Sequence, residues 1–248
     1  MALVELHYFS QALLKQTAAY VILPEKEQGP YPTLYLLHGL SDDHTIWLRR
    51  TSIERYVADL PLIVVMPDGG RGFCCDAEEG FQFGTALGVE LVDRIDRTFP
   101  TKAERTGRAL AGLSMGGYGS LRLALTYPDR FAAAVSHSGA LGFGNGTKGH
   151  DGNPYTPEFQ RILGPDPTGG PNDLFALVEA FEPDNLPAMR IDCGTEDFLI
   201  EPNRRFHAHL ENLKISHEYE EHPGAHTWDY WDLHIQDTLK FLKGKLDL

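Results

Sequence analysis

Residues 107–119 read Gly-Arg-Ala-Leu-Ala-Gly-Leu-Ser-Met-Gly-Gly-Tyr-Gly, and that order of residues leaves the backbone few options. A short apolar run, 109–111, leads into Gly112-Leu113-Ser114-Met115-Gly116, and an apolar pattern at helical spacing follows. The pattern G-x-S-x-G holds a serine on a tight turn between a strand and a helix. The two backbones nearly touch in such a turn, so a Cβ two residues either side of Ser114 would clash. Ser114 itself is expected in a strained conformation that lifts its Oγ clear of the sheet. A helix starting just after it aims the Met115 N–H and a positive helix end at any negative charge forming there. The pattern alone is a modest signal, since glycine-rich turns produce it without chemistry. Its context decides.

That context is an alternation of strand and helix. Residues 2–10 and 16–23 read as two antiparallel strands at a sheet edge. Residues 33–37 and 62–66 are nearly continuous apolar runs, as in strands buried on both faces. Helical spacing follows at 45–59 and 85–99, with a long loop over 69–83. After the elbow come a helix over 120–127, a strand over 131–136, a strand over 187–193, a helix over 201–213, a strand over 216–221 and a helix over 228–242. Residues 139–185 interrupt the rhythm with glycines and prolines and one weak helix near 173–180. Regular alternation resumes afterwards, which marks an insertion over one face of a single domain spanning 1–248. The fold class is α/β, a mostly parallel sheet with helices on both faces. Function in such sheets gathers at the carboxyl ends of strands.

Four groups fall at those ends: His38-Gly39-Leu40, Ser114, Asp197 and His226. A serine hydroxyl needs an adjacent base, and a histidine base needs a carboxylate to fix its tautomer. The chain order Ser114, Asp197, His226 supplies all three. Among the eleven histidines, His226 lies at a loop-to-helix junction in Pro-Gly-Ala-His-Thr-Trp, with His222 the runner-up as base. His137 ends the strand after the elbow and reads as structural. Asp197 is favoured over Glu196, which reads as a solvated turn residue, while Asp173 and Asp184 read as helix caps or surface groups. An oxyanion needs at least two N–H donors; Met115 is one, and Leu40 is placed to be the other.

The remaining signals exclude more than they add. A formal net charge of −13 argues against nucleic acid and anionic membranes as partners. No stretch approaches the roughly 20 apolar residues of a membrane span, and no leader is visible at the N-terminus. Cys74, Cys75 and Cys193 are odd in number, so a disulfide framework is not expected and a cytoplasmic setting is the simplest fit. The adjacent pair Cys74-Cys75 reads as two small loop hydrophobes. His217, His222 and His226 lack a metalloprotease spacing, and no lysine closes the glycines of 142–152 into a phosphate loop. No metal and no cofactor are therefore expected. A homo-oligomer is left open.

Taken together, Leu36-Leu37-His38-Gly39-Leu40, Gly112-Leu113-Ser114-Met115-Gly116-Gly117-Tyr118-Gly119, Cys193-Gly194-Thr195-Glu196-Asp197 and Gly224-Ala225-His226-Thr227-Trp228 resemble the esterase D group of α/β-hydrolases. The group takes in tributyrin esterases, S-formylglutathione hydrolases and feruloyl esterases. The resemblance covers nearly the whole chain from residue 15. It implies the α/β-hydrolase fold and a serine carboxylesterase acting on a small-molecule ester, with Ser114 as nucleophile, Asp197 as orienting acid and His226 as base. Leu40 and Met115 would supply the oxyanion N–H groups. Leu113 departs from the histidine usual in S-formylglutathione hydrolases, which argues against thioester substrates, and an insertion too short and too polar for a lipase lid points toward short-chain acyl esters; a thioesterase, an acyltransferase using the same triad or an inactive binding module are the rival readings.

Overall fold

A computed structural model describes the chain except residues 26–27, 146–155, 182–184 and 247. Asp184, together with residues 146–155 and 182–183 of the expected insertion, lies outside the described residues. Among the described residues, eight strands form one sheet: β1 (Ala2–Ser10), β2 (Lys15–Leu23), β3 (Thr33–Leu37), β4 (Ile63–Pro67), β5 (Arg108–Leu113), β6 (Ala133–His137), β7 (Ala188–Gly194) and β8 (Glu218–His222). Their order across the sheet is β1-β2-β4-β3-β5-β6-β7-β8. β2 runs antiparallel to both β1 and β4, and every pairing from β4 onward is parallel.

Sequence explains which strands sit inside. In β3, β4, β5 and β6 every residue is buried, so successive side chains feed opposite faces. Leu34 and Leu36 join one apolar cluster while Tyr35 and Leu37 join the other. β1 instead alternates exposed and half-buried residues along most of its length, as an edge strand must.

The helices divide accordingly. Helices α1 (Ile46–Arg50), α2 (Ile53–Tyr56) and α9 (Trp228–Lys243) cover one face through Trp47, Ile53, Trp231 and Ile235. On the other face lie α4 (Leu91–Thr98), α5 (Met115–Thr126), α7 (Leu174–Glu179) and α8 (Ile200–Asn212), which contribute Val92, Leu121, Leu174 and Phe206. Each fully buried leucine or isoleucine stabilises this layering by about 1.5–3 kcal/mol. No helix among the described residues is long and apolar enough to cross a membrane.

Three local departures from the sequence pattern have physical causes. The expected helix over 45–59 is two helices, because Thr51 is extended (φ −130°, ψ 172°) and its Oγ1 donates to the Trp47 carbonyl at 2.6 Å. The Ser52 N–H then turns to Asp232 on α9 at 2.7 Å instead of continuing the ladder. The expected helix over 85–99 begins earlier, as α3 (Phe83–Thr85), and passes through a π-helical turn (Ala86–Glu90) before α4. In the insertion, α6 (Thr156–Leu163) forms where prolines suggested irregular chain. Pro157 falls in its first turn, where a missing N–H costs nothing.

Candidate active site

Ser114 stands between β5 and α5 with φ 53° and ψ −116°, a conformation that costs on the order of 1–3 kcal/mol for a residue with a Cβ. Its surroundings hold it there. The Ser114 N–H donates to the His137 carbonyl at 2.9 Å, and the Ser114 carbonyl accepts from the Tyr118 and Ala140 N–H groups at 3.0 Å each. The flanking glycines are steric necessities. A Cβ on Gly112 would lie 2.5 Å from the Gly116 backbone, and one on Gly116 would lie 2.6 Å from the carbonyls of Leu37 and His38. Residues Met115 to Leu125 of α5 are all buried, so the turn rests on a helix that cannot shift.

Asp197 follows β7 and His226 follows β8, at the same carboxyl end of the sheet. The structure brings them together: His226 Nδ1 lies 2.8 Å from Asp197 Oδ2. Asp197 Oδ1 accepts the Leu199 N–H at 2.8 Å. Burial works against the Asp197 charge, but the His226 hydrogen bond, the Leu199 N–H and the His226 charge together hold its carboxyl below the usual range. The Asp197 side chain is fully enclosed, whereas His226 keeps 19% exposure. The Trp231 ring meets the His226 ring edge-on at 4.8 Å, and the exposed Phe198 ring is tilted against it with centroids 4.5 Å apart. β5 and β7 are two strands apart, roughly 10 Å at normal strand spacing, a gap that an imidazole fixed on Asp197 can bridge.

Residues 38–40 lie against the elbow. A Cβ on Gly39 would come within 2.8 Å of Leu113 Cδ1 and 3.9 Å of Ser114 Cβ, so only glycine lets Leu40 approach. His38 fastens this turn. Its Nε2 accepts the Gly69 N–H at 2.8 Å, and Nδ1 lies 2.7 Å from the Gly39 carbonyl. An amide can only donate, so the ring is neutral with its proton on Nδ1. Met115, as the first residue of α5, has an N–H with no acceptor inside the helix.

The loop after β4 and the insertion pack on each other. Phe73 stacks on Phe143 with centroids 3.7 Å apart, and Phe159 of α6 meets both edge-on at 5.2 Å. Arg71 reaches both Glu158 carboxylate oxygens at 2.7 and 2.8 Å. Cys74 and Cys75 are free and buried, and burial pushes the Cys74 thiol up to about 12. They are hydrophobic packing, as their setting in the sequence indicated.

Glu196 does more than its sequence position suggested, and His137 has the structural role expected of it. Glu196 remains exposed, yet its Oε2 accepts the Gly224 N–H at 2.5 Å and its own N–H donates to the Gly224 carbonyl at 2.9 Å. It ties the loop carrying His226 to the end of β7. His137 pairs with Asp192 at 2.8 Å with both side chains wholly buried, beneath the turn whose N–H it accepts. His222 instead lies 3.0 Å from Glu220 and stacks on His234. Asp173 caps α7 by accepting the Phe175 N–H.

Known proteins match this chain in sequence and fold over nearly its whole length. The sequence matches the Esterase family, described as "Putative esterase", over residues 10–242. It is 31% identical over 261 residues to an acetyl esterase of Caldicellulosiruptor saccharolyticus, covering 98% of both chains. The fold superposes on the substrate-bound fluorophosphonate-binding serine hydrolase FphF of Staphylococcus aureus with a TM-score of 0.88 and 31% identity, covering 97% of this chain and 98% of that one. It also matches a ferulic acid esterase with a TM-score of 0.84 and 26% identity, covering 99% and 98%. An S-formylglutathione hydrolase (FrmB) of Staphylococcus aureus gives a TM-score of 0.83 at 31% identity, covering 97% and 98%.

Proposed function

The chain belongs to the Esterase family, and on that premise we propose that Ser114 is the nucleophile of this serine carboxylesterase, with His226 as its base and Asp197 as the orienting acid. The observation that carries the assignment is the His226–Asp197 hydrogen bond of 2.8 Å at the strand ends facing the strained elbow.

In the first half-reaction, Ser114 Oγ attacks the ester carbonyl carbon while His226 Nε2 takes its proton. The Met115 and Leu40 N–H groups receive the oxyanion, a contribution of several kcal/mol in acyl transfer. The carbon–oxygen bond to the alcohol breaks, and His226 returns the proton to the leaving oxygen. Water then adds to the acyl-enzyme with His226 again as base, and the carboxylic acid leaves. Asp197 keeps the His226 proton on Nδ1 throughout and steadies the imidazolium.

The acyl group is short. The 69–84 loop and the described part of the insertion would wall the pocket, and they pack on each other through Phe73, Phe143 and Phe159. The acetyl esterase relative supports the same reading. The chain acts as one domain, residues 1–248, with 139–185 as the insertion, and its buried free cysteines suit the cytoplasm.

A panel of p-nitrophenyl esters from acetate to octanoate, with S-formylglutathione and a feruloyl ester alongside, tests the substrate class. Acetate to butyrate should give the highest kcat/KM; a preference for octanoate or for the thioester overturns it. Ser114→Ala should abolish turnover on every member of the panel.

A further inference from the structure

Histidines recur on the last third of this chain, and two groups of them gather carboxylates to within 4.8 Å: His207, Glu211 and His217, and His222, His234 and Asp237. Their geometries differ. The rings of His222 and His234 stack at 4.1 Å with only 15° between planes. Lone pairs in stacked rings run side by side and cannot meet at one point. Their nitrogens also already face carboxylates, His222 Nε2 at 3.0 Å from Glu220 and His234 Nδ1 at 2.9 Å from Asp237.

The other group converges. His207 and Glu211 are four residues apart on α8, one above the other on the same face. His217 comes from the turn entering β8, and its ring is inclined at 63° to that of His207. His207 Nδ1 and His217 Nε2 are 2.8 Å apart, aimed at each other. The supports expected around metal-binding histidines are also in place. His217 Nδ1 donates to the Ile215 carbonyl at 2.8 Å, which leaves the Nε2 lone pair facing inward. The His207 ring lies flat on Tyr219 at 4.1 Å and 6°, and the Tyr219 hydroxyl donates to Glu221 at 2.8 Å.

We propose that His207 Nδ1, His217 Nε2 and the Glu211 carboxylate bind a divalent transition-metal ion of the Zn²⁺ class, with water completing the tetrahedron. Two imidazoles and one carboxylate suit Zn²⁺, Ni²⁺ or Cu²⁺ rather than Mg²⁺ or Ca²⁺. On binding, the proton between the rings moves to the other nitrogen of His207. The rings then separate to roughly 3.3 Å, the spacing of two nitrogens on a tetrahedral zinc with bonds near 2.0–2.1 Å. The ion clips the end of α8 to the start of β8. Asp197 precedes α8 and His226 follows β8, so the clip braces the unit that carries both residues. It sits at the opposite end of β8 from His226 and takes no part in ester cleavage.

The test is calorimetric titration of the full-length, tag-free, EDTA-stripped protein with ZnCl₂ at pH 7.5, paired with thermal melts. Wild type should bind one equivalent at micromolar Kd with a rise in melting temperature. His207→Ala and His217→Ala should each weaken binding at least tenfold and abolish the rise, Glu211→Gln should weaken it severalfold, and His222→Ala should change nothing. Metal-free esterase turnover of the variants should match wild type, which separates lost binding from lost folding. Equal zinc affinity in wild type and in the His207→Ala/His217→Ala double variant, or loss of binding only in His222→Ala, overturns the proposal.

Discussion

Two histidine–aspartate pairs stand at the carboxyl ends of neighbouring strands, each with a ring Nδ1 2.8 Å from a carboxylate. His137 and Asp192 have no exposed surface at all. The far nitrogen of His137 meets the Thr238 hydroxyl at 2.7 Å, and the Tyr230 hydroxyl donates to Asp192 at 3.1 Å. His226 and Asp197 share the same hydrogen bond, but the ring of His226 retains 19% exposure at the mouth of the site. Identical pairing chemistry therefore supports opposite uses. A pair sealed on every side is a strut, whereas a pair with one open flank can pass a proton. Catalytic capacity lies in what the second ring nitrogen can reach, not in the pair itself.

Substitutions should separate the two pairs cleanly. His226→Ala is expected to reduce kcat/KM by roughly 10³- to 10⁴-fold or more while leaving the urea midpoint nearly unchanged. His137→Ala should do the reverse: stability falls by about 3–5 kcal/mol because a buried carboxylate loses its partner. Its folded fraction should still turn over esters, which parallel activity and denaturation measurements would reveal. Next in size, Asp197→Asn should lower kcat by about 10²- to 10⁴-fold through loss of the correct tautomer. Thr238→Val, which orphans only the far nitrogen of His137, should cost about 1–3 kcal/mol of stability and little activity.

A third pair, on α9 with His234 buried and Asp237 partly exposed, marks the small end of the scale. His234 Nδ1 lies 2.9 Å from Asp237, which Lys240 also approaches at 2.8 Å. Partial burial opposes the Asp237 charge, but Lys240 and His234 outweigh it and bring its pKa down to about 2. A depressed carboxyl contributes stability above its unfolded pKa of about 4, and that stability is lost as pH falls through about 2. Solvent screening limits the effect, so Asp237→Asn should cost no more than about 1 kcal/mol above pH 4. The difference from wild type should vanish near pH 2, as acid titration followed by circular dichroism would show.

Much of this was legible in the residues. Continuous apolar runs revealed the buried strands, because a strand covered on both faces has no polar side to display. The elbow was legible because its glycines answer a steric demand that no other residue meets. Chain order and strand ends pointed to His226 and Asp197, whose side chains lie 2.8 Å apart in the structure. What escaped depends on contacts between distant segments. Glu196 looks like any turn carboxylate until Gly224 arrives 28 residues later to be held. The break at Thr51 requires Asp232, and the partnership of His137 requires Asp192 and Thr238; none of these distances is encoded in local spacing. Helix α6 was hidden by reading Pro157 as a breaker when it occupies a first turn.

The proposed ester cleavage turns on one atom, Ser114 Oγ. Incubating the protein with a fluorophosphonate probe and measuring intact mass, then mapping the modified peptide, tests it directly. A single adduct on Ser114, with labelling lost in Ser114→Ala and strongly slowed in His226→Ala, is the expected result. An ester-hydrolysing protein that carries the adduct on another residue, or takes no adduct at Ser114, would contradict the account.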